Sequence, residues 1–239
     1  MKICVINFSG NVGKSVVSQH LLKPRLENSE IIAVESINSD GTNDEKIKGK
    51  RFSDIMDKVM EHDNAIIDVG ASNVEEFIQQ MNKAIGSHEE FDYFVVPTIF
   101  KNKQITDTVA TIEALQEMGI EKERIRVLFN LINEDIILRK DFAAIFENDD
   151  LAVVNHNCVI QENELFNRLH EVENFTSIAD LVNDQTDYRA LIQQTDDKSE
   201  RLIYSRRLGL RRLATGVERM LDNTYKQLFK LSHTTALHT

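Results

Sequence analysis

Runs of consecutive apolar residues alternate, over the first two thirds of the chain, with stretches in which apolar positions recur every three or four residues. The runs are 2–7, 31–35, 65–69, 93–97, 126–131 and 152–154. Most are continuous rather than alternating, which is how strands covered on both faces read. Between them, 16–22, 53–61, 74–85, 105–118 and 136–146 carry helical spacing, with Pro24 stopping the first and Gly119 ending the fourth. Strands and helices in alternation predict an α/β fold: a doubly wound, mainly parallel sheet.

After Phe175 the pattern changes to long polar helices with no strand signal. Thr176 or Ser177 is placed to cap one of them. From 210 to 231, Leu210, Leu213, Val217, Leu221 and Leu228 share one helical face while Arg212, Arg219, Lys226 and Lys230 share the opposite one. Gly209 and Gly216 each weaken that helix by about 1 kcal/mol. The expected division is an α/β domain over 1–175 and a basic helical C-terminal extension over 176–239, packed on or next to it.

Charge sharpens this division. The chain of 239 residues carries a net charge of −11. Residues 198–239 hold nine Lys/Arg against three Asp/Glu, or +6, so residues 1–197 carry −17. A basic island on an acidic body suits an anionic partner at that end, nucleic acid or membrane surface, though solvated helix faces read the same way. At 41% hydrophobic residues the chain has a core to bury. Two cysteines, Cys4 and Cys158, form no framework and no metal spacing, which fits a reducing cytoplasm. No leader pattern opens the chain, and its longest apolar stretch, 91–100, is too short to span a bilayer.

The chemistry concentrates in Phe8-Ser9-Gly10-Asn11-Val12-Gly13-Lys14-Ser15, directly after the first strand run and before the first helical one. Backbone N–H groups of such a turn, with the positive end of the following helix, form an anion site. The Lys14 ammonium can then reach terminal phosphates and the Ser15 hydroxyl can ligate Mg²⁺. Phe8 stands where the first glycine is usual, and Asn11 accepts positive φ better than other non-glycine residues. Phosphoryl chemistry also needs a carboxylate at a neighbouring strand end, and Asp68 closes the run 65–69 with Gly70 beside it. A capping aspartate in a βα loop would look the same. Asp40 and Glu35 follow the second strand, and either suits water orientation or the metal shell, with Asp40 preferred as the catalytic candidate; Asp40-Gly41 equally reads as a turn. The loop-rich stretch 41–49 lies where a nucleotide-sensing switch would sit. Asn130 ends the fifth strand, where its carboxamide suits either an adenine edge or the loop backbone. His156 and Cys158 lack partners at zinc spacing, and no Gly-x-Ser-x-Gly elbow occurs.

With Ser-Gly-Asn-Val-Gly-Lys-Ser at the amino end, Ile-Asp-Val-Gly-Ala at the third strand, Val-Val-Pro-Thr at the fourth and Leu-Phe-Asn at the fifth, the chain resembles the ParA/MinD branch of P-loop ATPases over residues 1 to about 160. Within that branch the loop variant and length look most like the StbB plasmid-stability proteins. The resemblance implies ATP or ADP with Mg²⁺ as cofactors, a slow ATPase, a homodimer, and a role in plasmid partition or positioning with a plasmid-encoded partner. It sets Ser9, Gly10, Asn11, Val12, Gly13, Lys14, Ser15, Val16 and Asn130 against the nucleotide, Lys14, Asp40 and Asp68 as the catalytic set, and Ser15 and Asp68 as metal ligands. DNA contact falls to Arg206, Arg207, Arg211, Arg212 and Arg219. Ser9 departs from the family's second, signature lysine and removes a charge that supports hydrolysis; Lys101 and Lys103 are the available substitutes. A non-hydrolysing nucleotide-binding adaptor is the alternative, and an ATP-dependent small-molecule ligase a lesser one.

Overall fold

The computed structural model describes residues 1–35, 45–169 and 177–230, with backbone alone for 45–50. Six strands, β1 (Lys2–Val5), β2 (Glu30–Val34), β3 (Ala65–Val69), β4 (Tyr93–Thr98), β5 (Ile125–Ile132) and β6 (Val159–Gln161), form one sheet in the order β2-β3-β1-β4-β5-β6. Every pairing is parallel. The order reverses at β1, so the crevice at its carboxyl end is where an open α/β sheet takes its ligand.

Neighbouring residues of each strand feed opposite cores, which explains the continuous apolar runs. Cys4, Ile67, Phe94, Val96 and Phe129 face one side, under α2 (Glu45–Met60), α3 (Val74–Lys83) and α4 (Asn102–Glu117). Ile3, Val5, Ile66, Val95 and Leu128 face the other. There they meet the first helix, α1 (Lys14–Val16), which continues as a wider turn over Val17–Leu22, and the C-terminal α10 (Lys198–Leu228). The short helices α5 (Leu138–Asp141), α6 (Ala143–Phe146), α7 (Glu164–Arg168), α8 (Ile178–Asn183) and α9 (Tyr188–Gln194) complete the chain. Both faces are covered, and the fold is the doubly wound type that the sequence predicts.

Three elements differ from the sequence expectation. The run 152–154 makes only a single bridge, Val153 to Arg126, and the sixth strand is Val159–Gln161. Two turns intervene, with Asn155 Oδ1 accepting from Asn157 N and Asn155 O from Cys158 N, so the chain re-enters the sheet after a detour. The helix expected over 136–146 is two single turns, broken at Phe142, whose ring is buried against Phe129. Helix α2 starts at Glu45, inside the stretch read as loop-rich.

The helix expected from 210 begins twelve residues earlier, at Lys198, where Asp197 caps the amides of Ser199 and Glu200. Of the two capping candidates, Ser177 accepts from Asp180 N at the start of α8. Gly209 and Gly216 lie inside α10. Leu210, Ala214, Val217, Leu221 and Leu228 are at most 2% exposed and press α10 on the sheet. Two cations fasten it. Arg25 pairs with Glu218 at 2.7 Å and Asp222 at 2.8 Å. Arg126, 1% exposed, donates to the Lys230 carbonyl at 3.3 Å and lies over the Tyr93 ring. Burial pulls its guanidinium below the usual arginine range, while the Tyr93 hydroxyl opposes that. A cation at a helix C-terminus also meets the negative end of the helix dipole.

Candidate functional site

The loop between β1 and α1 has the geometry its glycines permit. Gly13 stands at φ 87°, immediately before the helix, and Asn11 at φ 58°, the left-handed region that asparagine tolerates. Beneath Gly13 sits Asn130. A Cβ at Gly13 would come 2.1 Å from the Asn130 Nδ2. That amide donates to the Val12 carbonyl at 3.0 Å, while its Oδ1 accepts from Leu131 N at 2.9 Å. Asn130 is therefore bolted to the loop backbone from below, and Leu131 takes a strained φ of 54° at a register shift in β5.

Lys14 is 8% exposed and donates to two carbonyls of its own loop, Asn7 at 3.1 Å and Ser9 at 2.8 Å. Burial pulls its ammonium down to about 8, and the nearby Asp68 carboxylate opposes that. Asp68, register partner of Val5, lies at the carboxyl end of β3. Burial raises its carboxyl above the usual aspartate range; the Ser15 hydroxyl, within hydrogen-bonding reach, and Lys14 counter it, and Glu35 adds to the rise. Gly10, Asn11, Gly13, Lys14, Ser15, Glu35 and Asp68 open on one cavity of about 290 Å³. Gly70 is needed on its rim because a side chain there would meet the Val34 carbonyl at 3.2 Å. Its φ of −57° is ordinary.

The predicted site residues from Ser9 to Val16, with Asp68 and Asn130, are brought together; Glu35 joins them, and Asp40 lies outside the described residues. The donor set of hydroxyl and carboxylates consists of hard oxygens, which suits Mg²⁺ with most of its shell left to water and phosphate. Among the described residues no group of three or more His, Cys, Asp or Glu is placed to hold a metal ion. A second, polar cavity of about 490 Å³ opens at the carboxyl ends of β5 and β6, lined by Asn133, Glu134, Gln161 and Asn163 among others.

Sequence reasoning missed how the loop is strapped to α4. Asn7 Nδ2 donates to Pro97 O at 2.9 Å and to Thr108 Oγ1 at 2.8 Å, Phe8 N donates to Thr111 Oγ1 at 3.1 Å, and the Ser9 hydroxyl donates to Asp107. The Phe8 side chain, standing for a glycine, packs against the core under α4. The available signal was a polar pair, Thr108 and Thr111, on the helix face that also carries Ile105, Ile112 and Leu115.

No protein-family model and no curated protein sequence matches the chain. Solved structures do. The MinD cell division protein of Aquifex aeolicus superposes with a TM-score of 0.50 at 14% identity, over 87% of this chain and 96% of that one. The chain has the MinD fold. The same organism's MinC:MinD complex gives 0.50 at 15% identity, over 82% and 97%. The septum site-determining protein MinD of Pyrococcus horikoshii, complexed with Mg-ADP, gives 0.48 at 12%, over 92% and 96%. No helix among the described residues is long and apolar enough to cross a membrane.

Proposed function

We propose that this chain is a ParA/MinD-type P-loop protein that binds ATP or ADP with Mg²⁺ and acts as a slow ATPase in plasmid stability, partition or positioning. Within the branch its loop stands nearest the StbB proteins. One observation carries the reading: Lys14, Ser15 and Asp68 converge on a single cavity beneath the left-handed turn at Gly13. Ser15 and Asp68 would hold the metal, which supplies charge neutralisation and orientation of the phosphates. Lys14 supports the terminal phosphates, and the polar cavity at the carboxyl ends of β5 and β6 takes the base. Loss of charge at Ser9 favours, as a second reading, an adaptor in which nucleotide stabilises a partner contact without turnover.

Solution mass measured with ADP, with ATP and without nucleotide tests binding and pairing together. A nucleotide-dependent homodimer supports the reading; absence of binding to either nucleotide overturns it. Phosphate release separates the two readings, since the adaptor gives no turnover above a Lys14→Ala variant.

Affinity is expected to depend on pH. Phosphate binding needs the charged ammonium, and in the free protein Lys14 loses its proton near pH 8. Below that value affinity for Mg-ATP is flat. Above it, the dissociation constant rises by up to tenfold per pH unit until the higher pKa of the bound state is reached. Calorimetry across pH 7 to 10 checks this, and an unchanged constant through that range removes Lys14 from the phosphate site.

For the anionic partner we infer DNA, held along α10. At 100° per residue Arg212, Arg219 and Lys226 line the face of α10 opposite the buried leucines, Lys230 follows the helix end, and all four are exposed. Of the acids of that half, Glu218 and Asp222 both pair with Arg25, and Asp222 stays 54% exposed. Arg206 and Arg207 extend the charge. Arg211 instead turns inward, donating to Asp184 O and Thr186 O and lying over Tyr188. The double change Arg212→Glu with Arg219→Glu is expected to weaken binding of random-sequence duplex at least tenfold at low salt and to flatten its salt dependence. Equal binding by the variant removes the stripe from the interface.

A further inference from the structure

Two threonines of α4, three residues apart on one face and both fully buried, turn their hydroxyls toward the phosphate loop. Thr108 Oγ1 donates back to Gln104 O and Thr111 Oγ1 to Asp107 O, both at 2.6 Å, and Thr108 Oγ1 also lies 2.9 Å from Thr98 Oγ1. A β-branched side chain bonded back to its own helix has a fixed χ1 and its one hydrogen is spent there. The oxygen lone pairs are left for the loop.

What they hold are the two carbonyls on which Lys14 rests. Thr111 accepts from Phe8 N at 3.1 Å. That N–H and the Asn7 carbonyl belong to one planar trans peptide and point in opposite directions, so fixing the first aims the second, which takes the Lys14 ammonium at 3.1 Å. Thr108 accepts from Asn7 Nδ2 at 2.8 Å, and Asn7 Oδ1 in turn accepts from Ser9 N at 2.7 Å. The carbonyl of that same Ser9 takes Lys14 at 2.8 Å. A lysine ammonium carries three protons on a flexible four-carbon stem. With two of them on fixed carbonyls, one remains for the cavity that Lys14 lines.

We propose that Thr108 and Thr111 are positioning residues of the nucleotide site, which aim the Lys14 ammonium through the Asn7 and Ser9 carbonyls and so make phosphate affinity depend on the seating of α4. This rests on the nucleotide-binding reading above. The two threonines act through the loop backbone alone.

The test uses Thr108→Val and Thr111→Val, which keep the shape and remove the acceptor, and Thr108→Ser and Thr111→Ser, which keep the acceptor. Ile112→Val trims a fully buried neighbour on the same helix and changes no polar group. Kd for Mg-ADP and for a non-hydrolysable Mg-ATP analogue is measured beside thermal unfolding. The Lys14 ammonium is followed without nucleotide by NMR of protein labelled at the lysine nitrogens in mildly acid solution, its signal assigned by loss in Lys14→Arg. Each valine variant is expected to weaken both nucleotides about fivefold, as for one hydrogen bond, and to broaden the ammonium signal by solvent exchange. Each serine variant should keep wild-type affinity and signal, and Ile112→Val should lower the melting temperature without moving either. Wild-type affinity in the valine variants, an unaltered ammonium signal, or the same loss from Ile112→Val overturns the proposal. Wild-type protein that binds neither nucleotide overturns the underlying reading instead, while the ammonium signal still decides whether the threonines aim Lys14.

Discussion

Replacing Lys14 with alanine is expected to abolish measurable Mg-ATP binding while leaving the fold intact. The ammonium is buried at the point where the loop, the start of α1 and Asp68 meet, and no other loop side chain carries positive charge. Losing a contact of this kind costs about 3 kcal/mol, or roughly a hundredfold in affinity. Stability should move far less. The variant leaves the Asn7 and Ser9 carbonyls without their donor, but it also removes a charge whose burial is unfavourable, as the lowered lysine pKa shows. Calorimetry with Mg-ATP beside thermal unfolding separates the two effects. Retained affinity sinks the site assignment; lost affinity with an unchanged melting temperature supports it.

The largest effect on stability is expected from Gly13→Ala. The backbone there is left-handed, which costs a residue with a Cβ about 1–2 kcal/mol. The new methyl also collides with the Asn130 amide at 2.1 Å and drives it off the Val12 carbonyl, leaving buried polar groups unpaired at about 1–3 kcal/mol more. For a domain of this size the sum corresponds to a fall of roughly 5–15 °C in melting temperature. Adding Asn130→Ala removes the collision but not the backbone strain. The double variant should therefore lose less than the sum of the two single ones, and strict additivity would show that the two residues are not in contact.

These two sites also show what was legible in the chain. Gly13, Lys14 and Ser15 could be read because strand, glycine turn and helix follow one another locally, so their chemistry needs no knowledge of distant contacts. Asp68 could be read for the same reason, as a carboxylate ending an apolar run. Asn130 was ambiguous because its partner, Val12, lies 118 residues away, and an amide at a strand end serves a base or a backbone equally well. Thr108, Thr111 and Asp107 were silent: on a helix they look like ordinary polar positions, and only the docking of α4 brings them to Asn7, Phe8 and Ser9. The sixth strand was misplaced by the same limit. Val153 and Val159 are both β-branched in apolar surroundings, and the turns at Asn155 decide which one pairs.

The C-terminal helix gives the chain a particular history during synthesis. Ile3, Val5, Ile66, Val95 and Leu128 all face the side that α10 covers, and Arg25 finds Glu218 only across 193 residues. A ribosome adding about 5–20 residues per second needs on the order of ten seconds between Gln161, where the sheet is complete, and Leu228, where its lid is. For that interval one side of a finished sheet is covered only in part, by the first helix and its continuation to Leu22. The nascent protein is therefore most prone to sticking to its neighbours just before release, and truncations that spare the loop 8–15, Asp68 and Asn130 but remove α10 should accumulate as insoluble protein.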